Sequence, residues 1–170
     1  GRGVHMVDVW TGEELFDFSY DPGAPAGDPR LNLRYPIPAV VGMMGWGSKA
    51  YYDSFPDHDG FFDTATFGDA GGQLWVLRFS APGTLSGGKV TNWHGGRVFQ
   101  MGGAQDCELC GTQPFFYITA NMPLPTNMRY RVFAGTGDRF NLLDKRGGTQ
   151  SGFENPKGPL IGLTITEMPA

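Results

Sequence analysis

The stretch Thr64-Ala65-Thr66-Phe67-Gly68-Asp69-Ala70-Gly71-Gly72-Gln73-Leu74-Trp75-Val76-Leu77-Arg78-Phe79 decides the fold. Thr64 to Phe67 is β-prone and Asp69 to Gly72 is turn chemistry. In the run that follows, Trp75, Leu77 and Phe79 fall on one face at a spacing of two. Two such runs joined by a Gly-rich turn predict a hairpin. The unit has an earlier counterpart: Val4-His5-Met6-Val7-Asp8-Val9-Trp10 leads through Thr11-Gly12 into Leu15-Phe16-Asp17-Phe18, where Phe16 and Phe18 share a face. Thr11-Gly12-Glu13-Glu14-Leu15-Phe16 aligns without a gap with Ala70-Gly71-Gly72-Gln73-Leu74-Trp75, a repeat of 59 residues from position 11 to position 70.

Outward from these hairpins the chain reads as further strands at 38–44, 49–52, 97–101, 115–118, 129–133, 140–143 and 160–166. Loops are expected over 21–34, 82–111 (apart from the strand at 97–101) and 147–159, where Gly and Pro gather. No stretch has a helical apolar face, and 27 Gly with 13 Pro in 170 residues oppose helix interiors throughout. With 40% hydrophobic and only 18% charged residues the chain has the material for a core. Antiparallel units that each close on a Gly turn and an aromatic-bearing strand predict an all-β fold, a β-propeller. The approximate blades are 1–35, 36–81 and 112–170, with 82–111 a loop-rich insertion. A complete propeller has roughly four to eight blades, so about three mark part of a single propeller domain with the remaining blades elsewhere.

Charge excludes one class of partner. Thirteen basic against seventeen acidic residues give a net charge of -4, with no Lys/Arg run to neutralise a row of phosphates, so no nucleic acid is expected. The longest apolar run falls far short of the ~20 residues that span a bilayer, and any export signal is expected to lie outside the sequence.

The sharpest chemical motif is Asp57-His58-Asp59-Gly60-Phe61-Phe62-Asp63, preceded by Asp53. In a calcium loop of the EF-hand type, carboxylates alternate along the chain, a Gly makes the sharp turn and a backbone carbonyl follows it. Asp57, Asp59, Gly60 and Asp63 match the third, fifth, sixth and ninth loop positions, with the Phe61 carbonyl at the seventh. Phe55 and Thr66 occupy the first and twelfth, where they do not match; Asp53 supplies the first if the chain folds back through Phe55-Pro56. The alternative is an acidic turn in which Asp and Gly serve geometry alone. Crowding of three carboxylates favours a bound cation.

Cys107 and Cys110, as Cys-Glu-Leu-Cys, read as a local disulfide or a thiol pair. A zinc site would require two more ligands, and in sequence only His94 is near. The three histidines, His5, His58 and His94, have no serine motif or carboxylate at a telling spacing and read as structural. Gly135-Thr136-Gly137 lacks the Lys and helix of a phosphate loop and reads as a turn.

Two resemblances then stand on quoted residues. Val7-Asp8 followed by Thr11-Gly12-Glu13-Glu14-Leu15-Phe16 is similar to the strand-turn signature of quinoprotein-like propeller blades, with Phe16 where Trp is usual. Pro36-Ile37-Pro38-Ala39, the loop Asp57 to Asp63, Phe67 through Trp75, Gln113-Pro114 and Phe133-Ala134-Gly135-Thr136-Gly137 resemble, in that order, the C-terminal propeller of the PilY family of type IV pilus biogenesis factors and tip-associated adhesins. The resemblance implies a non-catalytic, exported protein at the pilus tip, outer membrane surface or periplasm. It implies minor pilin proteins as partners, with host or abiotic surfaces as attachment targets. It also implies calcium on Asp57, Asp59 and Asp63, with Asp53 at the departing first position, and calcium occupancy that regulates extension against retraction.

Two other readings compete. A quinone-dependent dehydrogenase shares the propeller, but the adjacent-cysteine pair of many such enzymes is absent, since two residues separate Cys107 from Cys110. No catalytic Asp with an Asn/Glu metal cluster is identified in the segment. The third reading is a periplasmic scaffold.

Overall fold

The computed structural model describes residues 1–37, 42–44, 62, 64–79, 83–101, 114–124, 129–136 and 160–166. Over these residues the chain is all-β, built from small antiparallel sheets. The only helical turn among them is a 3-10 turn, Pro29–Asn32, which Asp28 caps by accepting from the Arg30 N–H.

Strands β1 (Gly3–Val7) and β2 (Glu14–Ser19) form the first hairpin. The central sheet has the order β3-β4-β5-β8, from β3 (Gly42–Met44), β4 (Thr64–Gly68), β5 (Gln73–Arg78) and β8 (His94–Gln100). Two short strands, β6 (Leu85–Ser86) and β7 (Lys89–Val90), pair within the connection from β5 to β8. The last sheet has the order β11-β10-β9, from β9 (Ala120–Pro123), β10 (Arg129–Gly135) and β11 (Leu160–Thr166).

Alternation along β5 explains how these sheets stack. Trp75 and Leu77, continued by Phe79, join Phe16 and Phe18 of the first hairpin with Leu33 and Phe67 in one buried cluster. The opposite face of β5 sends Leu74 into a second cluster with Phe115 and Ala134, against which Ile161 and Leu163 of β11 pack. The central sheet is therefore covered on both faces, which is why every residue of β4 is buried. Gly68 permits the second contact, because a Cβ there would collide with the Phe115 side chain.

Expected strands and observed ones differ in two instructive places. The expected strand at 115–118 is absent; the strand lies at Ala120–Pro123 instead. Phe115 donates its N–H to the Asp69 carbonyl and buries its ring against Gly68, so the segment acts as a plug for the central hairpin rather than as a strand. The strand expected at 97–101 starts earlier, at His94, and forms the edge of the central sheet beside β5. The start of the strand expected at 38–44 and those expected at 49–52 and 140–143 lie outside the described residues.

The two hairpin turns correspond, but not without gaps. The Asp8 N–H bonds to the Glu13 carbonyl across one turn, and the Asp69 N–H to the Gln73 carbonyl across the other. Gly12 and Gly72 both take left-handed φ, 76° and 74°. The first turn is thus one residue longer, and Gly12 matches Gly72 rather than Gly71. A bulge between Met6 and Val7 then absorbs Leu15, so Phe16 faces Met6 as Trp75 faces Phe67. The two differences bring Phe16 and Trp75 back into correspondence.

Candidate functional site

The residues that sequence reasoning singled out for calcium, Asp53, Asp57, Asp59, Phe61 and Asp63, and the pair Cys107 and Cys110, lie outside the described residues. What is described is the frame into which the acidic loop runs. Asp63 is followed directly by β4, and β4 turns through Asp69 into β5.

Asp69 is the hub of that turn. Its side chain is fully buried; Oδ1 accepts the N–H groups of Gly71 at 2.9 Å and Gln73 at 3.0 Å, and Oδ2 accepts the Trp75 Nε1–H at 2.9 Å. Its carbonyl accepts from Gly72 and from Phe115, while the neighbouring Ala70 N–H reaches the Pro36 carbonyl. Burial raises the Asp69 carboxyl above its usual range, against the pull of the Trp75 and backbone hydrogen bonds and the Arg97 charge. One side chain thereby ties turn, ring and two flanking segments together. In the first hairpin, partly exposed Asp8 repeats only the backbone part, accepting from the N–H groups of Thr11 and Trp10, which lower its carboxyl.

A second polar centre lies on the first hairpin. His5 Nδ1 sits 2.8 Å from Glu14 Oε2 and 3.3 Å from Asp17 Oδ1. Lys89 Nζ approaches Glu14 Oε1 at 2.6 Å; its hydrogen bond, followed by that of His5, lowers the Glu14 carboxyl. Ser19 donates its hydroxyl to Asp17 Oδ2 at 3.0 Å. Asp17 also borders a cleft of about 460 Å³ lined by Arg30, Lys89, Trp93 and His94. Arg30 is held by Asp28, through Nη2–Oδ2 at 2.9 Å and Nε–Oδ1 at 3.1 Å; the pairing lowers the Asp28 carboxyl and raises the Arg30 guanidinium.

In the sequence His5 reads as structural, with no carboxylate at a telling spacing; the fold brings two carboxylates to it. Linear spacing hides the arrangement, because His5 and Asp17 are register partners across the hairpin. Folding the chain at Thr11-Gly12 without irregularity would set position 5 opposite position 18; the longer turn and the bulge that absorbs Leu15 set it opposite position 17 instead.

No helix among the described residues is long and apolar enough to cross a membrane. No family model matches the chain, and neither a curated protein nor a solved structure matches it. The fold and these polar centres define an all-β protein of face-to-face antiparallel sheets.

Proposed function

We propose that the chain is part of a non-catalytic, quinoprotein-like β-propeller of the PilY type, whose acidic loop holds calcium and whose ion occupancy regulates type IV pilus extension, retraction and surface attachment. The observation that carries this reading is the stacking of three antiparallel sheets in chain order about the Asp69 turn. Successive sheets packed face to face are how propeller blades associate. The same turn ends the most specific part of the resemblance, the acidic loop Asp57 to Asp63 leading straight into Gly68-Asp69-Ala70-Gly71-Gly72-Gln73-Leu74-Trp75.

The mechanism follows from what the loop adjoins. Calcium drawn to Asp57, Asp59, Asp63 and the Phe61 carbonyl, with Asp53 at the first position, orders a segment that enters β4 without a linker. Every residue of β4 is buried, so a change in the loop is passed to packed sheet rather than to solvent. The partners of this reading are minor pilins and the remaining blades, with host or abiotic surfaces as targets.

Calorimetry tests the ion. One calcium per chain is expected, with Asp59→Ala weakening binding at least about tenfold, since it removes a charged ligand. No heat on calcium addition, or binding untouched by that substitution, rejects the calcium step. Unchanged pilus number and retraction in cells lacking the protein reject the pilus assignment.

A further inference from the structure

We propose that His5, Glu14 and Asp17 form a site for a divalent transition metal, and that zinc is the ion it fits best. The site is independent of the acidic loop and of the pilus reading.

Backbone geometry builds it. A strand's side chains alternate between faces, so residues 14 and 17 of a regular β2 would point to opposite sides. The bulge opposite Met6 and Val7 absorbs Leu15, pairs Glu14 with Val7 and leaves Asp17 opposite His5. All three polar side chains then share the face away from Phe16 and Phe18. Bulges are a common means of re-aiming a side chain. The three donor atoms lie within 4.8 Å of one another, with the His5 nitrogen 2.8 and 3.3 Å from the two oxygens. An ion bound at ~2.0–2.1 Å in a tetrahedral arrangement spaces its ligands roughly 3.3 Å apart. Small side-chain adjustments on an exposed surface close that difference.

Charge and hydrogen bonding point to a cation. Asp17 Oδ1 is buried and accepts no hydrogen bond, because His5 Nδ1 points to Glu14 Oε2 and Ser19 serves the other Asp17 oxygen. A buried carboxylate oxygen without a donor is costly. Lys89 pairs with Glu14 at the edge of the site and Arg30 with Asp28 and Asp21; both feel the Asp17 charge, but neither donates a hydrogen bond to its Oδ1. A metal at Nδ1 also needs no proton there, and the imidazole then carries its proton on Nε2. Ser19 and Lys89 hold the outer oxygens of the two carboxylates, which is the outer-shell support metal ligands commonly have. One nitrogen among the ligands selects zinc over calcium and magnesium, which prefer oxygen alone. Three protein ligands leave the fourth zinc position to water.

The competing arrangement is an imidazolium shared by two carboxylates, which binds no metal. The test uses the chain carrying Cys107→Ser and Cys110→Ser, so that thiols do not contribute. Zinc titration followed by calorimetry is expected to give one ion per chain at micromolar zinc. The His5 ring nitrogen resonances should shift, and a tenfold excess of calcium should not displace the ion. His5→Ala and, separately, Asp17→Asn should each weaken binding at least about tenfold, the lower end of what even outer-shell changes cost. Both positions lie on the surface side of the hairpin, and circular dichroism checks that each variant remains folded. Absence of zinc binding, an unmoved His5 resonance at saturating zinc, or undiminished affinity in both variants overturns the proposal.

Discussion

Asp69 shows how much one buried side chain can organise. Its carboxylate takes two backbone N–H groups on one oxygen and the indole N–H on the other, so all three donors in its reach are satisfied. Asn has the same size but only one accepting oxygen. Whichever way it is turned, an NH2 group faces a buried N–H, donor against donor. Asp69→Asn should therefore lower stability by about 1–3 kcal/mol at neutral pH, read from urea unfolding. The pH dependence has a definite sign. Burial raises the folded-state carboxyl above its ordinary value of 3.8, so between that value and the folded one the native protein binds more protons than the unfolded chain. Stability from this group is then present at the acid end and falls as pH rises through the window. The difference in stability between wild type and Asp69→Asn should narrow over that interval; a difference that widens there, or none at any pH, contradicts this account.

The first hairpin and the central sheet meet through aromatic rings, and the contact sets the value of the repeated pattern. Phe18 lies edge-on to Trp75 at 6.0 Å between centroids, and Phe16 likewise to Phe79 and Trp93. Trp75 in turn stacks on Phe67 within its own hairpin. A double-mutant cycle on Phe18→Leu and Trp75→Phe should show coupling of about 0.5–1.5 kcal/mol, the range for an edge-to-face pair. Additive effects would place the two rings in separate packing units. These strands were legible in the sequence because Trp75, Leu77 and Phe79, like Phe16 and Phe18, alternate between turn residues whose chemistry is local. The bulge at Leu15 was not legible: the longer first turn and the absorbed residue together give a gapless alignment that holds at Phe16 and Trp75 and misplaces the residues before them. The plug at Phe115 was hidden for another reason. Phe115-Phe116-Tyr117-Ile118 has every local feature of a strand, and only Gly68, distant in sequence, makes the cavity that draws Phe115 out of a ladder. The His5 centre likewise depends on register, which spacing along the chain does not carry.

Across the whole molecule the sheets protect their faces better than their edges. The central sheet is covered on both sides, but β11 pairs with β10 alone and presents its other edge among the described residues. Its sequence, Leu160-Ile161-Gly162-Leu163-Thr164-Ile165-Thr166, has no charge and no Pro, and Leu160 is 75% exposed. A β-prone, uncharged edge is a template for another strand, and natural edges are commonly blunted by Lys or Pro. In a propeller that edge faces neighbouring structure of the same protein; among the described residues no strand pairs with it. The chain should therefore associate as concentration rises, by light scattering coupled to size exclusion. Thr164 is an exposed position of β11, so Thr164→Lys adds charge at the edge without disturbing Leu163 or Ile161, which pack inward. That variant should stay monomeric to at least several-fold higher concentration while its unfolding free energy changes by no more than about 0.5 kcal/mol. Association that persists unchanged in Thr164→Lys would move the contact to another apolar surface, of which the hairpin tip at Val9 and Trp10, 86% and 92% exposed, is the next to substitute.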